Sequence, residues 1–219
     1  MLKYIFVAVL ALAAVVKSFP NGFSENEQQA VEASVISEKS ALDLFQQFQA
    51  DKKMAFEFPL DGCYARATAM ARIAEDNKIK VAKIYVEGIL RVRNASKEYP
   101  EILWGYHVAP IVGVKKEDGT VVDMVMDPSL FEKPVPVSTW LDRMKGAGVP
   151  EAVIDKVYYG SRYQLFPRSV EPNKNNWRRV DLKKTKMVLE TYSDFVENHI
   201  KKSSKNEKQN QQSIQQGAQ

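Results

Sequence analysis

The sequence holds one cysteine, Cys63, and two histidines, His107 and His199. Cys63 stands in Asp61-Gly62-Cys63-Tyr64-Ala65-Arg66-Ala67, a turn followed by residues that suit a helix. A thiol at a helix start meets unpaired backbone N–H groups and the positive end of the helix dipole, both of which favour an anion. The same N–H groups can hold the oxyanion of a tetrahedral intermediate. Such a thiol suits nucleophilic attack on a carbonyl, provided an acid and base partner is within reach. Gly62 lets backbone and substrate approach closely, which makes it a candidate for substrate binding.

Histidine is the usual partner. His107 lies in Trp104-Gly105-Tyr106-His107-Val108-Ala109-Pro110, inside a predicted strand, whereas His199 lies at the polar end of the last predicted helix. His107 is the better candidate, although alone it would read as a core histidine. Asp127 supplies a carboxylate at a strand end, just before Pro128. Glu117-Asp118-Gly119-Thr120 is a hairpin turn. If the strands on either side of it pair, Asp127 can neighbour His107 and orient its imidazole. Alone, Asp127 would read as a strand-end residue in a turn with Ser129. Cys63, His107 and Asp127 together supply the nucleophile, the acid and base, and the orienter of a cysteine hydrolase. Trp104 and Tyr106 flank the histidine and either line a substrate groove or pack in the core.

The elements that must position these groups follow from periodicity. A helix is expected over 37–50, where Ala41, Leu42, Leu44, Phe45 and Phe48 recur at helical spacing. A second begins at Cys63, with Asp61 as its expected N-cap, and runs to 75 or 76. Strands are expected at 81–86, 89–92, 102–114 and 121–126. A short helix over 138–145, capped by Ser138, is followed by another at 150–156 and a strand over 158–166. An amphipathic helix is expected over 182–200. Residues 19–40 carry no clear core pattern. Residues 203–219 are Ser, Asn, Lys and Gln with one Ile, and read as a disordered tail. Helix, antiparallel strands, then helix gives an α+β domain.

The 219 residues suffice for one domain with a full core. The net charge of +4 is not gathered into a basic, aromatic-interleaved patch, so a nucleic-acid partner is not expected. Lys3, the apolar run 4–16 and the polar turn residues after it read as a secretory signal ending near Ser18, too short for a comfortable membrane span. Export implies a secreted or periplasmic protein, free of the membrane once the signal is removed. A lone thiol in an oxidising compartment needs a reason to persist, and catalysis supplies one. One Cys and two distant His give no metal-ligand spacing, and no glycine-rich phosphate loop is present, so neither metal nor cofactor is expected.

Three segments then carry a resemblance. Residues 61–67, Tyr106-His107-Val108-Ala109-Pro110 and Asp127-Pro128-Ser129-Leu130-Phe131 resemble the catalytic blocks of bacterial protein-glutaminase in composition, order and spacing, and Val157-Tyr158-Tyr159 is a weaker fourth similarity. The resemblance covers roughly residues 58–166. It implies a fold related to transglutaminase and papain-like enzymes, in which the helix bearing the catalytic cysteine packs on an antiparallel sheet bearing the histidine and aspartate. It implies hydrolysis of the side-chain amide of glutamine in protein or peptide substrates, giving glutamate and ammonia through a Cys63 thioester, with His107 as acid and base and Asp127 as its orienter. A monomer is expected. The domain plan is a signal at 1–18, an N-terminal segment at 19–50, the catalytic domain at 51–202 and the tail at 203–219. Relatives carry several disulfides, which a single cysteine forbids. They also carry a long inhibitory pro-segment, for which too few residues lie between residue 18 and Cys63. The triad alone leaves open a transglutaminase, with a lysine amine in place of water, and a cysteine peptidase or amidase, while it argues against a non-catalytic binding module, which has no need of all three residues.

Overall fold

The computed structural model describes residues 16–19, 31–94, 99–167 and 176–216, with side chains described as far as residue 199. Most of the expected signal lies outside the described residues. The element order is β1 (Val16–Phe19), β2 (Val31–Ser37), α1 (Glu38–Ala50), a 3-10 turn (Lys52–Met54), α2 (Cys63–Asp76), β3 (Ala82–Arg93), β4 (Glu101–Lys115), β5 (Val121–Val125), β6 (Val135–Pro136), α3 (Val137–Asp142), β7 (Val153–Gly160) and α4 (Arg179–Gln216).

These strands form one mixed sheet around β4. β3 pairs antiparallel with β4, from Arg93↔Glu101 to Ala82↔Ile111. β2 then takes over the same edge in parallel, at Val35↔Gly113 to Ser37↔Lys115. β5 occupies the opposite edge, antiparallel, and β7 flanks β3 on its far side. α1 starts where expected, because the Ser37 side chain accepts from the Ser40 N–H and so satisfies one free donor of the first turn.

Alternation along the strands divides the core. Tyr85, Val108, Val112 and Val114 pack with Phe45 and Phe48 of α1, Met70 and Ala71 of α2 and Leu189 of α4. Ile84, Val86, Ala109 and Ile111 pack on the other face with Trp140 of α3 and Met144. Fully burying a side chain such as Phe45 contributes roughly 1.5–3 kcal/mol, so both helical layers hold the sheet firmly.

Several expectations are corrected. Residues 31–37 form a strand although they lack a clear apolar pattern, because their partner strand lies some 78 residues away in sequence (Val35↔Gly113). The two strands expected at 81–86 and 89–92 are one strand with a bulge at Gly88, where φ is +145° and a Cβ would meet Val153 O at 2.1 Å. Residues 150–156 are not a helix. Val153, Ile154 and Val157 are β-branched and enter β7, which ends at Gly160 rather than continuing to 166. Ser138 does not cap α3, whose N-cap is Pro136. The backbone of α4 continues to Gln216, through the stretch expected to be a disordered tail. Lys, Gln, Glu and Ser there tolerate a helix, and no Pro or Gly interrupts it before Gly217. Val16–Phe19 pairs with β2, so a cut after Ser18 would remove an edge strand.

Candidate active site

α2 begins at Cys63, so the thiol is at the position expected from the sequence. Its N-cap is Gly62, in the left-handed region at φ +86°, which favours glycine. A Cβ at Gly62 would lie 2.8 Å from the Tyr192 ring and 3.3 Å from Arg66 Nη1. Among the described residues no side chain caps this helix, which leaves its first N–H groups open to an anionic ligand. Asp61, expected as the cap, is drawn away and accepts a 2.6 Å hydrogen bond from the Tyr192 hydroxyl.

His107 and Asp127 are brought together by the sheet. The turn at 116–120 closes the β4–β5 hairpin, with Ile111 opposite Val125. The Met126 N–H donates to Pro110 O at 2.9 Å, carrying the register past the end of β5. Asp127 is thereby level with Ala109, two positions from His107 and on the same face. His107 Nε2 donates to Asp127 Oδ2 at 2.7 Å, with both residues buried. Asp127 accepts three further hydrogen bonds: Trp140 Nε1 to Oδ2 at 2.8 Å, the Ser129 N–H to Oδ1 at 3.2 Å, and the Ser129 hydroxyl to Oδ1. The bond to His107 and the turn with Ser129, weighed as alternatives in the sequence, are both present. Trp140, thirteen residues further on in another helix, carried no sequence signal for this role.

The electrostatics follow from burial and pairing. Burial alone lowers the pKa of His107. The charge and hydrogen bond of Asp127, then the hydrogen bond and charge of Cys63, outweigh it and push the imidazole up to about 9. Burial raises Asp127, but the charge and hydrogen bond of His107 and the bonds from Ser129 and Trp140 hold its carboxyl below the usual range. His107 Nδ1 is buried as well. Since Asp127 occupies Nε2, Nδ1 is the nitrogen free to face the thiol.

Trp104 and Tyr106 are both half-buried on β4. Trp104 stacks on His107 with ring centroids 4.5 Å apart, and its Nε1 donates to Leu60 O at 3.2 Å. Tyr106 packs against the core on the α2 side. Its hydroxyl is raised by burial, then by the charges of Cys63 and Asp61, and also by a hydrogen bond to Cys63. Trp104 therefore sits against the imidazole, while Tyr106 sits against the thiol. Arg66, one turn after Cys63, is 2% exposed and donates to Phe58 O, while its Nη2 has no partner. His199 lies midway along α4, where it is exposed and stacks on Phe195. Among the described residues, no group of three or more His, Cys, Asp or Glu is placed to hold a metal.

A thiol at an open helix start, a buried imidazole and a buried carboxylate form the set needed for acyl transfer through a thioester. Comparison with known proteins points the same way. The sequence model of a family described as Glutaminase matches residues 41–144. The chain is similar to the crystal structure of a mutant of pro-protein-glutaminase (TM-score 0.62, 25% identity, 73% of this chain). It spans 58% of the length of that protein. It is also similar to protein-glutaminase (0.61, 26%, 73% of this chain and 88% of that one). The NMR structure of protein-glutaminase from Chryseobacterium proteolyticum gives 0.61 and 25%, with the same coverage. No curated protein sequence matches the chain.

Proposed function

We propose, from the match of the Glutaminase family model to residues 41–144 and the similarity to protein-glutaminase structures, that the chain hydrolyses the side-chain amide of protein-bound glutamine through a thioester on Cys63. The observation that carries this reading is the hydrogen bond between His107 and Asp127, beside a lone thiol at an uncapped helix N-terminus.

The imidazole is pushed up to about 9, so at neutral pH it carries a proton opposite the thiol. A Cys63 thiolate attacks the amide carbonyl of glutamine. The carbonyl carbon gains a C–S bond, and its oxygen takes the negative charge beside the free N–H groups of the first turn of α2. When the intermediate collapses, the C–N bond breaks and His107 gives its proton to the leaving amine, which departs as ammonia. His107, now neutral, takes a proton from water as the water attacks the thioester. The C–S bond breaks, glutamate leaves, and the thiolate and imidazolium are restored. Asp127 holds the imidazole through Nε2 and stabilises its charge throughout. Gly62, Trp104 and Tyr106 are proposed to border the glutamine side chain.

The apolar run at 4–16 supports secretion, and a lone cysteine is consistent with an exported enzyme that relies on its thiol. The test is incubation with a glutamine-containing unfolded protein, followed by ammonia assay and intact mass. Release of one ammonia per glutamine converted, with substrate mass rising by about one unit at each site as amide becomes acid, is the expected result. No ammonia release across a panel of such proteins would reject the reading.

A further inference from the structure

The last helix lies against the turn that presents the nucleophile. Three points of α4 touch residues on both sides of Cys63. Lys184 Nζ lies 6.0 Å from the centre of the Tyr64 ring and 4.4 Å from that of Phe166. Tyr192 closes on Gly62, where its ring leaves no room for a Cβ. Its hydroxyl donates to Asp61. The Phe58 ring is in contact with Tyr192 at 4.5 Å and with Phe195 at 5.1 Å between centroids. Leu189, between these contacts, is buried in the core shared with α2. From below, Arg66 donates to Phe58 O and approaches Gly62. The turn is therefore gripped from both sides, by Arg66 and by Tyr192, which lies 131 residues from Asp61 in sequence.

This grip bears on chemistry through Asp61. Asp61 stands one residue before the N-cap Gly62, where the helix dipole draws a carboxylate toward the free N–H groups. Those are the groups an oxyanion would use. Tied to Tyr192, Asp61 makes no such bond, and the N-terminus stays uncapped. We infer that Tyr192 is a positioning residue, which clamps the 58–62 turn and keeps the Asp61 carboxylate off the helix N-terminus beside Cys63. The C-terminal helix thereby belongs to the active site.

The inference rests on Cys63 as the proposed nucleophile. Its test therefore reads the thiol directly as well as turnover. Tyr192→Phe keeps the ring on Gly62 and removes only the hydroxyl, so the fold is retained. The variant is expected to lose about tenfold in kcat with little change in KM, and to change the rate at which iodoacetamide alkylates Cys63. Asp61→Asn keeps an acceptor oxygen for the tyrosine and is expected to retain most of the activity, whereas Asp61→Ala is not. In a double-mutant cycle, adding Asp61→Ala to Tyr192→Phe should cost little more, because the carboxylate freed by the first change is then absent. Independent, multiplying losses, or a Tyr192→Phe protein with unaltered kcat and alkylation rate, would overturn the inference. If glutamine hydrolysis is absent in every protein, alkylation alone decides it.

Discussion

The Trp104 indole lies flat against the His107 imidazole, its plane tilted by only 9° and its centroid 4.5 Å away. An aromatic face at this distance favours a protonated ring, by about 0.5–2 kcal/mol. Trp104→Leu should therefore bring the alkaline limb of the activity profile down from near 9 by about 0.4–1.5 pH units. Trp104→Phe should move it less. An unmoved limb in the leucine variant would assign Trp104 to packing alone.

Asp127→Asn should separate charge from shape. The asparagine can still meet Ser129 through its oxygen, but an NH2 then faces the N–H groups of Trp140 and His107. Expected are a loss of about 1–3 kcal/mol of stability and a fall of about four orders of magnitude in kcat. Thermal melting and turnover on the same preparation check both. A stable variant with near-normal turnover would remove Asp127 from the triad.

Two buried groups should shape stability against pH in opposite directions. His107 is raised from 6.5 to about 9, so its contribution is complete below 6.5 and is lost as pH rises through 9. Lys83 is lowered from 10.5 to about 7 by burial, which the charges of Asp181 and Cys63 only partly offset. Its penalty is full below 7 and is relieved as pH rises toward 10.5. Between 7 and 9 the two trends oppose each other. Lys83→Met removes one of them, leaving Gln164 O still bonded by the Tyr85 hydroxyl. The variant's melting temperature should fall more steeply than the wild type's from pH 7 to 9. Parallel curves would contradict this.

The placement of Cys63, His107 and Asp127 was legible because the signals for it are local. Gly62 and Cys63 announce a turn and a helix start, and the hairpin at 117–120 links the strands bearing His107 and Asp127. What escaped depends on distant pairing. Asp61 has the residue type of an N-cap, yet bonds Tyr192 in the last helix instead. Trp140 reaches Asp127 only because α3 packs under the sheet. Gly88 broke the strand pattern of 81–92, although the bulge it permits keeps one continuous strand. Val153–Gly160 reads ambiguously alone and becomes a strand because β3 offers it an edge.

Removal of residues 203–219 should leave stability and activity nearly unchanged. Among the described side chains, the contacts that seat α4 are made by Lys184, Leu189, Tyr192 and Phe195, all before residue 200. Differential scanning calorimetry of the truncated protein is the check, and a large drop in melting temperature would show that the terminal segment docks.

The central claim is a thioester on Cys63, and acid-quench mass spectrometry addresses it most directly. A glutamine peptide mixed with enzyme and quenched within the first turnover should yield enzyme carrying the peptide less one ammonia. After digestion the adduct should map to Cys63 and be cleaved by hydroxylamine. Cys63→Ala should form none and release no ammonia. An adduct on another residue, or an alanine variant that still deamidates the peptide, would contradict the account.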